Sequence, residues 1–95
     1  MRELRLIVLD PAGLHARPAA HVVRIAGRFQ SRITLSGGGR TADVKSLIAV
    51  LGMAIRPGAE ITLAADGPDD DAALAALLGE LGAAVQPSPS DAHQA

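Results

Sequence analysis

Gly13-Leu14-His15-Ala16-Arg17-Pro18-Ala19-Ala20 is the stretch from which the rest of the chain can be ordered. A proline has no backbone N–H to give, and the N–H groups of a helix's first turn have no intrahelical acceptor, so Pro18 belongs in a first turn. Ala19, Val22, Val23, Ile25, Ala26 and Phe29 follow at helical spacing. A helix of about three turns is therefore expected from Ala16, with His15 as its N-cap.

Working outward, Leu4, Leu6 and Val8 alternate with Arg5, Ile7 and Leu9 before this helix, as in a strand with one buried face. After it, Arg32–Ser36 and Arg40–Asp43 flank Gly37-Gly38-Gly39 as a hairpin. A short apolar helix follows Ser46, a turn stands at Pro57-Gly58, and Glu60–Ala65 reads as a fourth strand. The last helix opens with Asp69, Asp70 and Asp71, acids that suit the positive end of the helix dipole, and carries Leu74, Leu77, Leu78 and Leu81 as one stripe. The order is β-α-β-β-α-β-α. Strands with one apolar face and helices with one apolar stripe cover each other, so an α+β fold is expected, a four-stranded antiparallel sheet with three helices on one face. The domain spans residues 1–85, and the polar run 86–95 reads as a disordered tail.

The same octapeptide carries chemistry. A histidine at a helix N-terminus meets free N–H groups and the positive dipole end, with Arg17 two residues on, and each disfavours the imidazolium. A neutral ring keeps a lone pair with which to attack phosphorus. The backbone N–H groups of Ala16 and Arg17 and the Arg17 guanidinium then suit the anionic oxygens of an attached phosphoryl group. Arg17 is otherwise unfavourable at the positive end of a dipole, which an anion-binding role explains. His21 and His93 have no motif around them and read as ordinary surface or core histidines.

Ser46 is a good N-cap, and capping alone accounts for a serine there. Capping does not account for Leu47, Ile48, Leu51 and Met53, which take up more of a short helix than it can turn inward. Some of them must face solvent, where an apolar patch marks a docking surface. Arg24 and Arg28, one turn apart, are either solvated charges or a means of steering acidic partners.

Bulk properties narrow the classes. Ninety-five residues make one domain. With no cysteine and three scattered histidines, neither a disulfide framework nor a metal site is expected, and no cofactor is implied. Glu3 and Arg5 interrupt the first apolar residues, so no signal peptide is expected, and no apolar run is long enough for a membrane insertion. A net charge of -1 and a single aromatic residue, Phe29, argue against nucleic acid as a partner.

Three segments, Gly13–Ala19, Asp43–Leu51 and Ala59–Gly67, resemble HPr, the histidine-containing phosphocarrier of the bacterial phosphoenolpyruvate-dependent sugar phosphotransferase system. The similarity runs over roughly residues 2–84. It implies an open-faced β-sandwich and a cytoplasmic monomer that is a carrier and not an enzyme in its own right. Enzyme I would phosphorylate His15 on Nδ1, and enzyme IIA proteins would take the group on. It implies further that the helix of Leu47, Ile48 and Leu51 forms part of the contact surface for partners, to which Arg24 is the candidate charged addition, and that Ser46 is the target of a regulatory kinase in some members. Pro11-Ala12 and Ala54 depart from the family pattern, which often has polar residues and glycine there. The alternatives are a nitrogen-branch or other regulatory paralogue with the same chemistry and, more distantly, a ligand-binding or acyl phosphate-hydrolysing domain of similar topology.

Overall fold

The computed structural model describes residues 1–13 and 16–89. β1 (Arg2–Val8) leads to α1 (Ala16–Ala26), a hairpin of β2 (Arg32–Gly37) and β3 (Arg40–Asp43), α2 (Leu47–Gly52), β4 (Glu60–Asp66), α3 (Asp70–Leu81), a 3-10 turn at Gly82–Ala84, and β5 (Val85–Pro87). The strands form one sheet in the order β3-β2-β4-β1-β5, with every neighbouring pair antiparallel. The two-residue hairpin loop is Gly38-Gly39, with φ of 57° and 78°. Two consecutive positive φ values match the twist of the flanking strands and favour glycine at both positions.

Alternation along the strands fixes which face is buried. Leu6 and Val8 of β1, Ile33 and Leu35 of β2, Ala42 of β3, and Ile61, Leu63 and Ala65 of β4 all lie in the core. The helices contribute Ala19, Val22 and Ala26 from α1, Val50 from α2, and Ala73, Leu74, Leu77 and Leu81 from α3. The small residues allow α1 and α3 to pack closely on each other and on the sheet. Leu78 departs from the expected stripe and is 38% exposed. Helical geometry places it at the margin of the arc set by Ala73, Leu74, Leu77 and Leu81, so it borders the core without entering it.

The sheet has five strands where four were expected. Val85 is buried, Gln86 pairs with Ile7 and Pro87 with Leu6, so the ordered fold continues past residue 85 into the segment read as tail. Ser88 is fully buried, donating its N–H to Arg5 O at 2.8 Å and its hydroxyl to Glu60. The 3-10 turn reverses the chain after α3 so that an apolar valine meets the open edge of β1. Residues 90–95, His93 among them, lie outside the described residues.

At the opposite end of the sheet, Asp69 stands at the N-cap position of α3 without capping it. Its carboxylate instead accepts from the N–H groups of Gln30 and Ser31, each at 2.9 Å, and from the Ser31 hydroxyl. The β4–α3 turn is thereby tied to the α1–β2 turn. These bonds, the Ser31 hydroxyl foremost, hold the Asp69 carboxyl below its ordinary pKa of 3.8.

Candidate functional site

The approach to α1 is built by Asp10 and Gly13. Asp10 accepts twice, from Ala12 N–H through Oδ1 and from Gly13 N–H through its carbonyl, both at 2.8 Å, which closes a tight turn. Gly13 is buried with φ of 67°, and a Cβ there would lie 2.3 Å from the carbonyl oxygen of Ile55. Only glycine fits. Leu9 N–H and Asp10 N–H both donate to Ala84 O, at 2.7 and 3.3 Å, so the turn after α3 holds the loop from the other side.

His15, assigned as nucleophile and N-cap, lies outside the described residues, and so does the side chain of Ala16. The residues around it are defined. α1 begins at Ala16, so the backbone N–H groups of Ala16 and Arg17 fall in the first turn, where no intrahelical acceptor reaches them. Arg17 is exposed and lines a shallow depression with Asp10, Pro18, His21 and Glu80. Gly13 and Pro18, on either side of His15 in sequence, border an apolar cavity of about 20 Å³ between α1 and the sheet. His21 Nδ1 stands 3.5 Å from Glu80 Oε1, a link between α1 and α3 in keeping with a structural histidine.

Arg56 escaped the sequence reading. It is exposed, and its Cα would stand 3.2 Å from a Cβ on Gly13, so a second arginine borders the loop that carries His15. No local pattern announces it, because the juxtaposition comes from packing of the α2–β4 connection against Gly13.

Ser46 caps α2 as its type suggests. Its Oγ accepts from Ala49 N–H at 3.3 Å, and Arg40 Nη1 donates to Gly52 O at 3.0 Å at the other end. Only Val50 of this helix is buried; Ile48 is 84% exposed, and Leu47 and Leu51 are 37% and 38% exposed. The apolar excess predicted for α2 therefore does face outward. α2 packs against α1, in whose last turn Arg24 is exposed. Just after α2, Ala54 has φ of 51°, a left-handed conformation that a Cβ disfavours.

A family model described as "PTS HPr component phosphorylation site" matches residues 3–81, which include the histidine segment and all three helices. The chain belongs to the HPr family of phosphocarriers. It is 40% identical to the phosphocarrier protein HPr of Lysinibacillus sphaericus over 87 residues, covering 88% of this chain and 99% of that one. The HPr of Mycoplasma capricolum is 42% identical over 77 residues, with coverages of 81% and 86%. The solved structure of a mycoplasma histidine-containing phosphocarrier protein superposes with a TM-score of 0.83 at 39% identity, covering 84% of this chain and 91% of that one. HPr proteins are phosphocarriers of the phosphotransferase system, which serves sugar transport. Among the described residues, no helix is long and apolar enough to cross a membrane.

Proposed function

We infer that this member of the HPr family relays a phosphoryl group from phosphorylated enzyme I to enzyme IIA proteins through His15, in the cytoplasm, for sugar uptake. The observation that carries the reading is the family match, whose described feature is the phosphorylation site and whose span includes His15. The surroundings of His15 support it. A loop fixed by Gly13, a first helical turn with free N–H groups, and an exposed arginine two residues on suit an anion that must be loaded and unloaded by protein partners.

In the relay, the Nδ1 lone pair of His15 attacks the phosphorus held by enzyme I. A phosphorus–nitrogen bond forms on His15 as the donor's phosphoryl bond breaks, and the second transfer repeats the exchange toward enzyme IIA. The Arg17 guanidinium and the amides of Ala16 and Arg17 hold and stabilise the three equatorial oxygens, over which the negative charge of the transferring group is spread. The exposed face of α2, with Leu47, Ile48 and Leu51, supplies apolar docking surface, Arg24 adds positive charge for acidic partners, and Ser46 offers a kinase a hydroxyl beside that surface. The chain itself turns over no substrate; it is a covalent carrier.

The reading is tested by incubating the protein with enzyme I, phosphoenolpyruvate labelled in the phosphoryl group, and an enzyme IIA. Label should pass to this chain first and leave it only when enzyme IIA is added. Label that enters enzyme IIA equally fast without this chain contradicts the relay.

A further inference from the structure

β1 (Arg2–Val8) is charged in its first half, with Arg2, Glu3 and Arg5, and apolar in its second, and one of its edges is paired with β4 over six residues. Among the described residues, the other edge is paired by β5, at Leu6, Ile7 and Val8. The unpaired N–H and C=O groups of an edge strand are a template for pairing with another chain, and folded proteins cover or charge such edges. β5 lies beyond residues 3–81, the part of the chain that matches the family model.

The bonds around β5 fix which backbone groups of β1 point to this edge. Leu9 N–H donates to Ala84 O and Ser88 N–H donates to Arg5 O, so the odd-numbered residues of β1 use it. Pro87, opposite Leu6, falls between those bonding positions, where its missing N–H costs nothing. Val85 in the core and Ser88 on Glu60 anchor the two ends of this short strand.

Glu3 and Arg5 share the parity of that edge, with Leu4 between them. If a second copy of β1 is laid antiparallel about Leu4, Leu4 faces Leu4, and each Glu3 stands opposite an Arg5 of the other copy. Both charged pairs then occupy bonding positions, and the core faces of the two sheets stay on the same side. That arrangement needs the backbone of Arg5 to Ile7, which β5 and Ser88 occupy.

We propose that β5 is an intrachain plug on the β1 edge, and that the partner this edge fits when β5 lifts is a second copy of this chain, joined antiparallel about Leu4. The test is sedimentation velocity on the full chain over a wide concentration range. Wild type should stay monomeric. Gln86→Pro removes an N–H from β5 without touching β1 or the core, and should give a dimer whose fraction rises with concentration. Adding Glu3→Arg should dissolve that dimer by setting like charges opposite each other, and adding Arg5→Glu as well should restore it. Far-UV circular dichroism checks that each variant is folded; if Gln86→Pro is not, Ser88→Ala, which frees β5 from Glu60, takes its place in the series. A folded β5 variant that stays monomeric throughout, or a dimer indifferent to Glu3→Arg, overturns the proposal.

Discussion

At the scale of single residues, Arg17 and Ala54 separate chemistry from stability. Arg17 is exposed in the first turn of α1, so its removal leaves the core intact and, in the proposed relay, takes one charged group from the phosphoryl oxygens. Arg17→Ala should slow transfer from enzyme I by roughly one to three orders of magnitude with little change in Tm. A fall in Tm with normal transfer per folded molecule would assign Arg17 to the fold instead. Ala54 shows the converse. Its φ of 51° is strained for a residue with a Cβ, so Ala54→Gly relieves steric cost while giving back some unfolded-chain entropy. A gain of about 0.5–1 kcal/mol in urea unfolding is expected, with transfer unchanged. Gly13 and Ala54 also mark the limits of reading residues from sequence. The histidine segment could be read because Pro18 fixes a helix start, whereas Arg56 could not, because its place beside Gly13 depends on how a distant loop packs.

At the scale of elements, α2 joins a cap to an exposed apolar face, and α3 joins its own start to the α1–β2 turn. Asp at position 46 caps a helix as well as Ser and adds charge beside Ile48, so Ser46→Asp should keep or slightly raise Tm yet slow His15 phosphorylation through weaker binding to enzyme I. Ser46→Ala should phosphorylate normally and lose about 1 kcal/mol. Equal kinetics for wild type and Ser46→Asp across protein concentrations would leave Ser46 as a cap alone. For Asp69 the sign follows from its lowered folded pKa. Its contribution is fully present above the ordinary value of 3.8 and is lost as pH falls through the lower folded value. Asp69→Asn should therefore be less stable than wild type at neutral pH, and the gap in urea midpoint should close as the pH drops below 3.8. A gap that is constant with pH would contradict this.

At the scale of the whole molecule, the order of strands and helices was legible because each element has a regular period and a strong stop signal, such as Gly38-Gly39 or Pro57-Gly58. β5 was not, since three residues between polar and proline-rich neighbours carry no periodicity and acquire strand geometry only from the edge of β1. Asp69 was placed correctly along the chain, yet its partners across the fold had no local signature. The histidine lay in view in the sequence, and beside its place in the chain stand a buried Gly13, a helix that starts at Ala16, and an exposed apolar face on α2. The most direct test is intact-mass measurement after incubation with phosphoenolpyruvate, magnesium and enzyme I. One phosphate adduct should appear that survives at neutral pH, disappears in acid because protonation of the ring makes it a good leaving group, and is absent from a folded His15→Ala variant. An acid-stable adduct, or one that persists in His15→Ala, would contradict the account.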